Sequence, residues 1–171
     1  MTTKDEVISA IEAADARMKA LAPALLAHGP DRLPDSEWDV RQALCHVAAR
    51  ANPVPLSLTI MQRMLVASAQ GQKPDFRGGA VRGAEINQAQ LDERMDRSVA
   101  EVLAEIETGH QTALATVREM PQDEFDQRFP RVTGDGETSL GEMILRAGAG
   151  HEKEHLDQIV NALGGATPAQ S

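Results

Sequence analysis

The chain has 171 residues, with 17 Lys and Arg against 26 Asp and Glu for a net charge of -9; that length suits one domain able to bury a core without disulfide staples. The charge repels phosphate backbones and anionic lipid surfaces, which argues against nucleic acid as a partner, and no run approaches the roughly 20 apolar residues of a membrane span. One cysteine, Cys45, cannot form an internal bridge, and Met1-Thr2-Thr3-Lys4-Asp5 lacks the layout of a secretory signal, so a reducing cytoplasm is expected.

With no Tyr, one Trp and three Phe, the core must come from Leu, Ile, Val, Met and Ala, and an all-α fold is expected. Val7, Ile11, Ala14, Met18, Leu21 and Leu25 recur at spacings of 4, 3, 4, 3 and 4, the stripe of an amphipathic first helix. Thr3 and Glu6 can form a capping box at its start, Pro23 should bend its last turns, and His28-Gly29-Pro30 should end it, with His28 as no more than a cap. A second helix is expected to start near Ser36, with Asp39 three residues on, and to run through Trp38, Val40, Leu44, Val47 and Ala48. Asn52-Pro53-Val54-Pro55 interrupts it, and Leu56 to Ala69 reads as its continuation.

The stretch from Gly71 to Gly83 holds four glycines and a proline; it is too long for a tight turn and is expected to cross one end of a bundle. A long third helix should run from about Ala84 to Met120 with Met95, Val99, Val102, Ile106, His110, Leu114 and Val117 on one stripe, and Pro121 should end it. Between Phe125 and Glu137 the spacing predicts a loop with an irregular hairpin around Gly134-Asp135-Gly136. Ser139 with Glu142 then caps a fourth helix that continues to Leu163 and stops at Gly164-Gly165. Residues 1–165 thus make a single domain, and 166–171 a frayed tail. No internal repeat is visible.

The inward stripe of the fourth helix is written Leu140, Ile144, Ala147, His151, His155, Ile159 and Ala162, so two imidazoles occupy core positions. Residues four apart on a helix bring their Cβ atoms to about 5–6 Å, close enough for both rings to reach one ion at about 2.0–2.1 Å. The leading candidate for a third ligand is His46, because Ala43, Val47 and Ala49 around it leave room on the second helix. A lone helical histidine on an apolar stripe is most often a hydrogen-bonded core residue; a pair needs either two separate partners or a shared ion, and the two readings are then balanced. Gly148 and Gly150 either permit close helix contact, the plainer reading, or open space for a ligand.

His151-Glu152-Lys153-Glu154-His155 also satisfies H-E-x-x-H, the zinc-peptidase signature with the Glu as base. Such sites take a further ligand downstream, yet beyond His155 there is no His or Glu and only Asp157, two positions on, so proteolysis is disfavoured. Cys45 lies about 100° round the helix from His46 and reads as a small buried residue. His110 reads as a core histidine or as a group behind the site. Trp38 anchors the start of its helix, and Arg50 and Asn52 read as solvated surface, with contact to a substrate carboxylate as the sharper alternative.

Trp38-Asp39-Val40-Arg41-Gln42-Ala43-Leu44-Cys45-His46-Val47, with its Trp and a His eight residues on, resembles the DinB/YfiT-like metalloprotein superfamily. Thr138-Ser139-Leu140-Gly141-Glu142 leading into His151-x3-His155-x2-Gln158-Ile159 is similar to the final helix of that superfamily, and the resemblance spans nearly the whole chain. It implies a four-helix bundle with a long crossover connection between helices 2 and 3, a metal site of His46, His151 and His155, zinc or nickel as the metal, and a homodimer. It also implies one of two chemistries on a small-molecule substrate. One is transfer or isomerisation with a low-molecular-weight thiol, as in mycothiol-dependent maleylpyruvate isomerase-like proteins, whose C-terminal substrate domain has no counterpart in these residues; the other is metal-dependent hydrolysis.

Three neutral imidazoles leave a divalent ion its full charge and an open coordination position, the composition of a catalytic zinc site. The leading expectation is an enzyme whose ion activates a thiol or water against a small electrophile. The alternatives are a hydrolase and a non-catalytic module that binds metal or senses stress.

Overall fold

A computed structural model of the chain describes residues 2–27, 32–33, 36–72 and 79–164, with backbone alone over 79–83. His28, Gly29, Pro30, Gly165, the tail and the middle of the Gly71–Gly83 connection lie outside the described residues. The fold is all-α apart from one small hairpin.

Helix α1 (Lys4–Ala27) buries the six residues of the expected stripe and continues through Pro23. The Thr3 hydroxyl accepts from the Glu6 amide, and the Glu6 carboxylate accepts from the Thr3 amide, so two orphan donors at the helix start are satisfied reciprocally. Helix α2 (Val40–Arg50) begins later than expected. Its cap is Asp39, paired with Gln42 in a capping box; Ser36 instead accepts from the Trp38 amide two residues on. After Asn52, whose side chain accepts from the Val54 amide at 3.3 Å, helix α3 (Val54–Ala69) starts with Pro53 as its cap residue.

The single long third helix is a correction. The chain forms α4 (Gly79–Asp92) and α5 (Val99–Glu119), separated by a turn. Ser98 and Glu101 make a capping box that starts α5 afresh, and Arg41 of α2 donates to the carbonyls of Met95 and Arg97. Arg94 holds Glu105 through its Nε and Nη2, which fastens the turn to α5.

A four-residue helix α6 (Gln122–Phe125) follows Pro121, then strands β1 (Arg128–Pro130) and β2 (Glu137–Ser139) pair antiparallel with Phe129 opposite Thr138. Gly134 and Gly136 take positive φ in the turn between them, which glycine adopts without steric cost. Ser139 and Glu142 then cap α7 (Leu140–Leu145) as expected.

The last helix is not continuous. Residues Arg146–Gly150 form one wide π-helical turn before α8 (His151–Ala162), and Gly148 sits at φ -100°, ψ -110°. A Cβ on Gly148 would lie 2.6 Å from Pro53 Cγ, so the glycine is there for close contact. The wide turn carries one residue more than a regular turn and shifts the buried face by about 100°. Leu140 and Ile144 are buried before it, but Glu152, Leu156 and Ile159 after it. The expected inward positions Ala147, His151, His155 and Ala162 are therefore only half-buried.

Helices α1, α2, α5 and the α7–α8 pair pack on one another. Arg118 reaches Glu12, His110 reaches Asp15 and Lys19 reaches Glu107, so α1 and α5 run antiparallel. One core cluster gathers Leu21, Leu44, Val47, Ile106, Leu156 and Ile159, and another gathers Val7, Val117, Phe125, Phe129, Leu140 and Ile144. No described helix is long and apolar enough to cross a membrane.

Candidate metal centre

The three histidines singled out in the sequence meet between α2 and α8. His46 Nε2 lies 2.9 Å from His151 Nε2, and His151 Nε2 lies 3.3 Å from His155 Nε2. The three rings stand nearly edge to face, with centroids 4.7–5.2 Å apart. Ligands at about 2.0–2.1 Å in a tetrahedral shell sit about 3.3 Å apart, so the spacing suits one ion.

Hydrogen bonding makes the same point. Gln158 Oε1 lies 3.0 Å from His155 Nδ1 and accepts its proton, which leaves the His155 Nε2 lone pair facing His151. A proton on His151 Nε2 could then bond to His155, but that nitrogen would no longer accept from His46. No neutral arrangement gives both short contacts an ordinary hydrogen bond, whereas a cation shared by three lone pairs satisfies all of them.

The electrostatics keep these lone pairs free. Burial, together with the neighbouring His155, Arg50 and His151, pushes the His46 pKa down to about 3, with Gln90 partly opposing. Burial, with the neighbouring His155 and Arg50, also lowers that of His151. His46 is 1% exposed, and its Nδ1 has no hydrogen-bond partner, nor has the buried Gln90 Oε1. A ligating imidazole usually donates its second N–H to an acceptor that fixes its orientation, and this donor and acceptor are complementary.

Trp38 does more than anchor α2. Its ring stacks on His155 at 5.9 Å and tilts against His46 at 5.0 Å between centroids, forming an apolar wall that limits water around the trio. The tryptophan-to-histidine spacing was visible in the sequence; the packing of the ring on two ligand candidates was not. Gln158 stood in the quoted motif without a role. Gln90, on α4, gave no sequence signal.

Cys45 is buried with its Sγ 3.9 Å from Met95 Sδ, and burial raises its thiol pKa; it is the small buried residue expected, not a nucleophile. Asn52 is engaged in the cap of α3. Arg50 is not solvated surface: it is half-buried, and its Nε is shielded from solvent with no partner.

Glu152 turns away from the trio. It is 3% exposed, and its Oε2 accepts from His110 Nε2 at 2.8 Å. Across the ring, His110 Nδ1 lies 3.3 Å from Asp15 Oδ1, and Lys19 holds the other Asp15 oxygen at 2.9 Å. Burial by itself would lower the His110 pKa; the hydrogen bonds and charges of Glu152 and Asp15 outweigh it and raise the pKa. Both ring nitrogens thus face carboxylate oxygens, an arrangement that favours the doubly protonated ring. The H-E-x-x-H reading loses its base, because that carboxylate is committed to His110 on the far side of the helix.

Among the described residues, His46, His151 and His155 are the group of histidine, cysteine and acidic side chains placed to share an ion. No curated protein matches the chain significantly. The sequence pattern of the DinB superfamily matches residues 9–159, which include both histidine-bearing segments, and the chain belongs to that superfamily.

Proposed function

We propose that the chain is a metal-dependent enzyme in which His46, His151 and His155 hold one divalent transition-metal ion, zinc or nickel. In this reading it acts in the cytoplasm on a small electrophilic molecule, with a low-molecular-weight thiol or water as nucleophile. The observation that carries the reading is the convergence of three Nε2 atoms whose two short contacts cannot both be ordinary hydrogen bonds between neutral rings.

A divalent ion bound there supplies Lewis acidity, which makes a thiol or water nucleophilic near neutral pH. The chain's own residues prepare the place. Gln158 holds His155 in the tautomer that presents Nε2, and the depressed pKa values of His46 and His151 remove proton competition at pH 7. Trp38 excludes water from one side. The absence of a carboxylate from this donor set leaves the charge of the ion uncompensated, which favours activation of a nucleophile over a closed structural role.

Elemental analysis of the purified wild type should find about one ion per chain, and His151→Ala should find almost none with far-UV circular dichroism unchanged. A screen of several small thiols against generic electrophiles, with a hydrolysis screen alongside, then identifies the reaction. Metal-free wild-type protein after purification in zinc- or nickel-supplemented medium would sink the proposal. A homodimer is the expected assembly, and sedimentation equilibrium measures it.

A further inference from the structure

Arg50 follows His46 by four residues on α2, so both side chains leave the same face of the helix. The guanidinium is near enough to disfavour protonation of both His46 and His151. Its Nε is buried and unpartnered, and the hydrogen bond from Nη2 is a long one, 3.4 Å to Asn87 Oδ1. Burial lowers the Arg50 pKa, which means that the surroundings disfavour its charge.

The chain has acids to spare, with 26 against 17 bases. Arg17, Arg94, Arg97, Arg118 and Arg128 all pair with carboxylates. Arg50, among the described residues, pairs with none. A half-buried cation with no counter-ion is costly, and placing it beside a divalent ion raises the cost further. The arrangement becomes favourable when an anion binds to both cations.

We propose that Arg50 is a binding residue for an oxyanion of the small-molecule substrate, a carboxylate or a phosphate, held by the guanidinium fork beside the three histidines. The planar fork suits two-oxygen groups, and its permanent charge makes the interaction a charge-assisted one. The proposal narrows the substrate class of the same site to anionic electrophiles, and so it rests on the metal-centre reading above.

The test is calorimetric titration of the purified protein, at equal metal content, with succinate, inorganic phosphate and uncharged succinamide. Wild type should bind at least one anion and not succinamide. Arg50→Met should weaken that binding by about tenfold or more while elemental analysis shows the same metal content. Arg50→Lys, which keeps the charge and loses the fork, should fall between the two. Preference for succinate assigns a carboxylate, and preference for phosphate a phosphorylated substrate. Equal anion affinity in wild type and Arg50→Met, or no anion binding by wild type, overturns the proposal. Metal missing from wild type counts against the histidine reading instead, and the Arg50 comparison is then read on that protein by the same criterion.

Discussion

His151 and Glu152 are adjacent on α8 yet serve opposite environments. On one side three imidazoles gather with no carboxylate among them, and burial drives protons off His46 and His151. On the other, a single imidazole is clasped by two carboxylates, which raise its pKa against the effect of burial. Both sites are built on histidine, and each has a fully buried ring, His46 in one and His110 in the other. The partner chemistry alone decides which becomes a receptor for an external cation and which supplies its own, and a helix can present both because neighbouring residues point about 100° apart.

The largest expected effect comes from breaking the internal ion pair. His110→Ala leaves the Glu152 carboxylate buried without its cation and should cost about 3–5 kcal/mol of stability in urea unfolding. The same variant should keep its metal content, whereas His151→Ala should lose metal and keep helicity. Replacing His110 and Glu152 together by Leu should recover most of the loss, because an apolar pair has no charge left to compensate. A double variant as unstable as His110→Ala would show that packing, not charge, holds this side.

Gly148→Ala tests the turn that separates the two faces. Its Cβ would press on Pro53 at 2.6 Å, and overpacking of this kind costs about 1–3 kcal/mol; a thermal melt should show the drop. Gln158→Leu removes the acceptor that sets the His155 tautomer, and competition with a chelator should reveal about a 10–100-fold loss of metal affinity.

The smallest effect is in the pH dependence of the metal-free protein, where the two sites should have opposite slopes. The pKa of His110 is raised above 6.5 in the folded state, so its stabilisation is full below 6.5 and is lost as pH rises through the raised value. That of His46 is depressed to about 3, so the trio is most stable above 6.5 and loses stability as pH falls from 6.5 toward 3. Melting temperatures of His46→Asn and His110→Gln across this range should each flatten one limb and spare the other.

Much of this organisation was legible because it is local. The α1 stripe from Val7 to Leu25, the Ser139–Glu142 box and the His151–His155 pair follow from spacing along one helix, and His46 from the small residues around it. The Ser98–Glu101 box was equally local, yet the apolar run from Met95 through Val102 concealed the break that it marks. The wide turn at Arg146–Gly150 left no imprint on the pattern, because Gly148 and Gly150 have no side chains to reveal a change of phase. Counting at 3.6 residues per turn therefore put His151 and His155 in the core and missed Glu152. The Glu152–His110 bond joins residues 42 positions apart, and Arg50 lacks a counter-ion only once the fold shows which acids lie elsewhere; neither is written in any short segment.

The wide turn has a consequence for length variation. It stores one surplus residue at the head of α8, so a chain shortened by one residue there, at Ala149 for example, could close into an ordinary helix without rotating anything downstream. His151, His155 and Glu152 would keep their facing. An insertion or deletion of a single residue after His151 finds no such slack and would swing the end of α8 out of step with its neighbours.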